Sequence, residues 1–262
     1  MSGRPTARVA FVTGFTDGIG LAVTRLLAER GLSVFGCART AGDVAAVVER
    51  FAAEGLDVDG TTSDVTSTEQ VRAAVETAVA RYGTIDVLVN NAGRNGGGVT
   101  AELDEKLWLD VVDTNLNSVF RVTREVLSTG GMLAAGFGRI VNIASTGGKQ
   151  GVPLAAPYSA AKHGVVGFSK AVGLELARTG ITVNAVCPGF VETAMAERVR
   201  QGHAEHYGTT TDEIKARFEA RIPIGRYVTP QEVAAMVGHL VSDAAAPVTA
   251  QAINVCGGLG NY

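Results

Sequence analysis

Seven short runs rich in β-branched residues recur along the chain, separated by longer stretches with helical spacing, and this alternation narrows the possible folds more than any other feature. The runs are RVAFVT (8–13), LSVFGC (32–37), DVDGTT (57–62), TIDVLV (84–89), RIVNIA (139–144), ITVNAV (181–186) and QAINV (251–255). Strands joined by helical crossovers pair in parallel, with helices covering both faces of the sheet. Helical patterns fall at 19–31, 41–55, 67–83, near 105–134, 156–178 and 230–241. The third opens on a Ser67/Gln70 capping-box pattern and stops before Gly83. A chain of 262 residues, 46% hydrophobic and 19% charged, can bury a large core. The prediction is one doubly wound α/β domain over 1–262, a seven-stranded parallel sheet flanked by helices. Residues 190–229 break the rhythm with mixed charge, Gly202, Gly208 and weak helical spacing. They are predicted to form a lid insertion over a site.

Charge excludes some functions. A net charge of −3, from 23 basic and 26 acidic residues, gives no footprint for nucleic acid or an anionic membrane. The opening MSGRPTARVAFVTG has no long apolar core of a signal peptide, and no run reaches the roughly 20 apolar residues of a bilayer span. A soluble, cytoplasmic protein is expected. Cys37, Cys187 and Cys256 are widely spaced and read as small buried apolar side chains. His203 and His206 in QGHAEHYG offer two metal ligands without a third, so no metal site is predicted.

The first strand leads through TGFTDGIG (13–20) into the first helix. Glycines there allow a tight turn and close approach of backbone N–H groups to phosphate, beside the positive end of the helix dipole. The spacing of Gly14, Gly18 and Gly20 is GxxxGxG. Arg39 and Thr40 follow the second strand, where an acid would favour the ribose hydroxyls of NAD; a guanidinium suits a 2′-phosphate, so NADP is predicted. Asp64 and Val65, after the third strand, are placed for the adenine ring. In PYSAAKHG (157–164), Tyr158 precedes Lys162 by four residues, one helical turn on the same face. An ammonium there is expected to lower the phenol from its ordinary pKa near 10 toward a useful proton donor. Ser145, in NIASTGG, can hydrogen-bond the same carbonyl oxygen. Gln150, Val152, Met195 and Tyr207 come from the sides that enclose a substrate beyond the strand ends. Trp108 lies among apolar neighbours and is assigned to packing.

TGFTDGIG, NNAG (90–93), Ser145 with YSAAK thirteen residues later, and PGFVET (188–193) together resemble the short-chain dehydrogenase/reductase family, along essentially the whole chain. The resemblance implies a Rossmann fold and a dinucleotide held by Thr13, Gly14, Thr16, Asp17, Gly18, Ile19, Gly20, Asn91, Ala92, Gly93, Pro188, Gly189, Val191 and Thr193. It further implies that Lys162 also holds the nicotinamide ribose and that Asn115 anchors a water that replenishes the proton. Narrower likeness in NNAGRNGGGVTAEL (90–103), STGGKQGV (145–152), RTGITVNAVCPGFVET (178–193) and INVCGGLGNY (253–262) is to ketoreductases of bacterial aromatic polyketide pathways. Those enzymes use NADPH to reduce one ketone of a poly-β-ketone held on an acyl carrier protein by phosphopantetheine. A Pro-Gly-Gly triplet linked to stereochemical control in them is Asn95, Gly96 and Gly97 here, residues also expected to meet substrate. Of their arginine patch for the carrier, Arg39 and Arg94 match, Thr66 stands at the third position, and Arg198, Arg200 and Arg221 are further candidates. A homotetramer is implied, with the last strand and C-terminus near an interface. The same catalytic residues would serve a 3-oxoacyl-carrier-protein reductase of fatty-acid synthesis or another short-chain alcohol dehydrogenase. A non-catalytic NADP-sensing or scaffolding protein on this fold would not need Ser145, Tyr158 and Lys162 together.

Overall fold

A computed structural model describes residues 7–260. The start of the N-terminal stretch and the closing Asn261 and Tyr262 lie outside the described residues. The strands are β1 (Val9–Thr13), β2 (Ser33–Ala38), β3 (Val58–Thr62), β4 (Val87–Asn90), β5 (Gly138–Ile143), β6 (Ile181–Pro188) and β7 (Ala252–Val255). They pair in parallel throughout, in the order β3-β2-β1-β4-β5-β6-β7. The chain winds outward from β1 in one direction and then, from β4, in the other. The crevice this reversal opens at the carboxyl ends of β1 and β4 is where a doubly wound sheet binds ligands.

The helices are α1 (Gly18–Glu29), α2 (Ala41–Ala53), α3 (Thr68–Tyr82), α4 (Glu105–Val112), α5 (Ser118–Leu127), α6 (Met132–Ala135), α7 (Ala156–Glu175), α8 (Ala194–Tyr207), α9 (Thr211–Glu219) and α10 (Pro230–Leu240). One core joins sheet residues to α1, α2 and α10 through Leu27, Val47, Phe51 and Val237. A second joins them to α3 and α5 through Val71, Val75, Val122 and Val126. β1, β4, β5 and β6 are buried along their whole length rather than on alternate residues, whereas the edge strands β3 and β7 are partly exposed. No helix among the described residues is long and apolar enough to cross a membrane.

Three local readings change. Ser67 caps α3 by accepting from Gln70 N at 3.3 Å, but the Gln70 side chain accepts from Asp64 N at 2.9 Å, so the reciprocal half of the capping box is missing. The helical pattern near 105–134 resolves into α4, α5 and α6, with a π-helical turn at Asp113–Asn117 between α4 and α5. Residues 190–229 are more ordered than their weak spacing suggested. They hold α8, capped by Thr193, and α9, opened by a full Thr210/Glu213 capping box. These helices share a small core of Ala204, Ile214, Phe218, Ile222 and Tyr227. Backbone bonds from Glu192 N to Val228 O (3.1 Å) and Val228 N to Phe190 O (3.0 Å) close the segment at its base.

The glycine loop is wedged in place by an apolar ring. Phe15 is fully buried. A Cβ on Gly36 of β2 would fall 2.1 Å from its Cγ, and one on Gly60 of β3 would fall 2.6 Å from its Cζ. Glycine at both positions is therefore what lets the loop lie flat on the sheet. Gly36→Ala is expected to cost about 1–3 kcal/mol in chemical denaturation, as overpacking does. The cost should shrink in a Phe15→Leu background, where the double-mutant cycle reads the contact directly.

Candidate active site

The loop after β1 is held by its neighbours across the crevice. Asn91 Nδ2 donates to Thr13 O and Gly14 O, both at 3.0 Å, while Thr13 Oγ1 accepts from Asn91 N and Ala92 N, each at 3.0 Å. Gly14 (φ +66°) and Gly18 (φ +51°) take backbone conformations that side chains disfavour. Asp17 caps α1 by accepting from Gly18 N at 2.7 Å. The result is a rigid turn opening onto a helix N-terminus.

That turn borders a cavity of about 1100 Å³. Gly14, Thr16, Asp17, Gly18 and Ile19 line it, as do Arg39, Thr40, Asp64 and Val65. So do Asn91, Ala92 and Gly93, then Pro188, Gly189, Val191 and Thr193. Two predicted cofactor residues do not. Thr13 is buried beneath the loop as its hydrogen-bonding anchor. Gly20 faces the loop's underside, where a Cβ would sit 2.0 Å from Gly14 O. Arg39 is exposed and ion-paired with no carboxylate among the described residues. Asp64 Oδ1 accepts from Thr66 N (2.9 Å) and Thr66 Oγ1 (2.8 Å), so Thr66 turns inward to shape the loop.

Ser145, at the end of β5, and Tyr158 and Lys162, on α7, meet in the same cavity with Asn115. Ser145 Oγ accepts from Gly147 N at 3.0 Å. Asn115 lies in the π-helical turn, a feature common at functional sites. Its Nδ2 donates to Val111 O (2.9 Å) and Arg94 O (3.0 Å), and its Oδ1 accepts from Arg94 N at 3.2 Å. Lys162 is buried, and its Nζ donates to Ile143 O at 2.7 Å, lying 5.7 Å from the Tyr158 ring centroid.

This geometry corrects the electrostatic expectation. Burial pushes the Tyr158 phenol above its ordinary value, the Ser145 hydroxyl pulls it down through a hydrogen bond, and nearby Cys187 adds a smaller upward push. The Lys162 ammonium, turned to Ile143 O, does not offset the burial. Burial also pushes Lys162 itself from 10.5 down to about 8. The sign for stability follows: the unfolded chain binds this proton more tightly than the folded one, so folding is penalised below about pH 8. The Lys162 share of the stability should therefore rise as pH increases from about 8 to 10.5, while the Cys37 thiol, pushed up to about 12 by burial, works against it above pH 9. The Lys162 contribution is of order 3 kcal/mol. Urea titrations of the ligand-free protein and of Lys162→Met isolate this share: the stability of wild type relative to Lys162→Met should rise across that window.

Of the residues expected to meet substrate, Asn95, Gly96, Gly97, Ser145, Gln150, Val152 and Met195 line the cavity, and Tyr207 does not. At the end of α8 it is 52% exposed, beyond the rim; His203, one turn earlier, takes the lining position. Burial and the nearby His206 hold the His203 imidazole below its ordinary value. Phe190, Phe218 and Tyr227 also line the lid side, with ring centroids of Phe190 and Phe218 at 4.5 Å and of Phe190 and Tyr227 at 5.4 Å. Sequence reasoning missed this aromatic wall; the Thr210/Glu213 capping pair marking the α9 start was the available signal. Arg198 and Arg221 line the rim, but Arg200 is tied to Glu192 at 2.8 Å and lies over the Tyr227 ring. Arg94 reaches toward Asp110 at 3.7 Å. Trp108 is 38% exposed, which leaves its assignment to packing only half met. No group of three His, Cys, Asp or Glu side chains among the described residues could hold a metal ion.

A tyrosine, a serine and a buried lysine at one end of a dinucleotide-sized cavity can deliver a proton to a carbonyl oxygen. The chain matches the short chain dehydrogenase family over residues 8–204. It belongs to that family. Among its relatives, the monensin polyketide synthase protein of Streptomyces virginiae, assigned as a ketoacyl reductase, is 64% identical over 257 residues, 98% of each chain. The 3-oxoacyl-(acyl-carrier-protein) reductase of Vibrio cholerae is 37% identical over 252 residues, 96% of this chain and 97% of that protein. A solved variant of the actinorhodin polyketide ketoreductase, crystallised with NADPH, superposes with a TM-score of 0.96 at 60% identity, with all of both chains covered.

Proposed function

We propose that this chain is an NADPH-dependent ketoreductase that converts one ketone of a carrier-bound poly-β-ketone to a hydroxyl during aromatic polyketide antibiotic assembly. The observation that carries this reading is the convergence of Ser145, Tyr158 and Lys162 in a cavity whose glycine-loop side holds Arg39. The residues fit the dinucleotide. The α1 N-terminus and glycine turn offer N–H groups to the phosphates, Arg39 and Thr40 suit a 2′-phosphate, and the Lys162 ammonium suits ribose hydroxyls. Identity of 64% to the monensin-pathway protein against 37% to the fatty-acid enzyme favours the polyketide substrate over the fatty-acid alternative.

Bound NADPH supplies the hydride for the carbonyl carbon. Ser145 Oγ holds the carbonyl oxygen, and the Tyr158 hydroxyl, kept protonated by burial, donates its proton to that oxygen as negative charge develops. The buried Lys162 ammonium stabilises the phenolate left behind, and Asn115 orders the turn through which the proton is replaced. The lid segment 190–229, with Met195 and the aromatic wall, encloses the ring-forming part of the substrate.

Arg198 and Arg221 at the rim receive the phosphopantetheine phosphate and the acidic carrier protein, a role Arg200 cannot share. The domain spans the whole chain, works in the cytoplasm and assembles as a homotetramer. Exposed Trp108, Leu109 and Phe120 on α4 and α5 and the free edge of β7 are the surfaces that support assembly. Supplied with NADPH and a polyketide synthase that makes a carrier-bound poly-β-ketone, the protein should shift the product by two hydrogen atoms in mass. An unshifted product would reject the reading.

A further inference from the structure

Residues 94–98, RNGGG, form a strap built largely of backbone, of which Asn95, Gly96, Gly97 and Gly98 line the cavity. One end is clamped by Asn115, which bonds both Arg94 N (3.2 Å) and Arg94 O (3.0 Å). In the middle, a Cβ on Gly96 would lie 2.4 Å from Val111 Cγ2, so the strap rests directly on α4. At the other end, Gly98 N donates to Leu154 O at 2.9 Å. A Cβ on Gly97 would fall 1.9 Å from the same oxygen and 2.9 Å from Ala155 Cα. The strap and the loop entering α7 therefore meet backbone to backbone.

Leu154 has φ +60°, one of two non-glycine residues with positive φ among the described residues. The left-handed region is unfavourable for a branched side chain and persists where surrounding contacts over-determine it. Those contacts are present. Ala155 N donates to Val152 O at 3.1 Å, and Val152 N donates to Ser159 Oγ at 3.3 Å, on the residue after Tyr158. Val152, Ser145 and Tyr158 also converge around Gly147, where a Cβ would lie 3.1, 3.4 and 3.6 Å from their side chains. The turn that bends the Leu154 carbonyl toward the strap is thus fastened to the helix that carries Tyr158.

We infer that Leu154 is a positioning residue for ketone specificity: its left-handed carbonyl latches the 94–98 strap to the Tyr158 helix and so fixes the width of the cavity beside Ser145 and Tyr158. The inference rests on the ketoreductase reading above. A bulky cyclic ketone must touch both walls to be held in one orientation, whereas a small linear ketone need not. Releasing the latch should therefore penalise the first more than the second.

The test compares Leu154→Val, whose β-branch fits the left-handed region still less well, with Leu154→Gly, which adopts it freely. Leu154→Val should raise KM for a prochiral bicyclic ketone by about tenfold and move the product enantiomers toward equal amounts. Its kcat on a linear acetoacetyl thioester and its NADPH Kd should stay within about twofold of wild type. Leu154→Gly should retain the wild-type enantiomer ratio, and Gly97→Ala, which drives the walls apart, should make the Gly98 amide exchange as fast as it does in Leu154→Val. Amide hydrogen exchange gives a readout independent of turnover: the Gly98 N–H should be protected in wild type and Leu154→Gly and fast in Leu154→Val. Three results would each overturn the latch: a protected Gly98 amide in Leu154→Val, equal losses on both ketones, or Leu154→Gly behaving as Leu154→Val. Failure of wild-type protein to reduce either ketone would instead reject the ketoreductase reading, while exchange at Gly98 still decides the latch.

Discussion

Tyr158→Phe is expected to lower kcat by about 10²–10⁴-fold, the range a positioned proton donor supplies, while leaving NADPH binding nearly intact. The ring would remain, so its place 5.7 Å from the Lys162 ammonium would not change. Only the hydroxyl that meets Ser145 is removed. A fluorescence titration of NADPH alongside steady-state turnover separates the two effects. The comparison also bears on Lys162: with the phenol gone, the ammonium at Ile143 O has no phenolate to stabilise, so Lys162→Met added to Tyr158→Phe should cost little further kcat. Additive losses would show that the two residues act on different steps.

Arg39→Ala should weaken NADPH binding by about 10–150-fold, since a charge-assisted hydrogen bond contributes roughly 1.5–3 kcal/mol. NADH binding should hardly change. The asymmetry is what distinguishes a 2′-phosphate contact from a general loss of loop structure. Arg39 stands just after β2 without a carboxylate partner among the described residues, so removing it leaves no buried charge there and no helix uncapped. Equal weakening of both dinucleotides would place the Arg39 effect in the glycine loop instead of the phosphate.

The strand pattern in the sequence located the sheet to within a few residues because its central parallel strands are buried along their length, though the edge strands β3 and β7 are partly exposed. The largest extension is at β6, which continues to Pro188 because Cys187 and Pro188 pair with Asn254 and Val255. That ladder cannot be read from one strand alone. The π-helical turn was hidden for a related reason: VVDTNLNSVF keeps an apolar spacing that a regular helix also satisfies. The lid helices were faint because they share only a few apolar anchors, Ala204, Ile214 and Phe218 among them.

At the site, the i, i+4 spacing placed Tyr158 and Lys162 on one helical face, but the direction of the phenol's shift could not be read from spacing. It depends on how deeply α7 buries both groups and on the Ile143 carbonyl that takes up the ammonium. Tyr207 failed for a geometric reason, since proximity in sequence to His203 says nothing about where α8 crosses the cavity rim. Glycines were the most informative single residues. Gly36 and Gly60 make room for Phe15, and Gly97 makes room for the Leu154 carbonyl, yet each partner lies far away in sequence.

The most direct test of the central claim is NADPH oxidation by the purified protein, comparing kcat/KM on a fused bicyclic ketone with that on a linear acetoacetyl thioester. A cavity of about 1100 Å³ walled by Phe190, Phe218 and Tyr227 predicts a clear preference for the bicyclic ketone. A preference for the linear thioester would contradict the polyketide assignment and point to a fatty-acid-type reductase working through the same Tyr158.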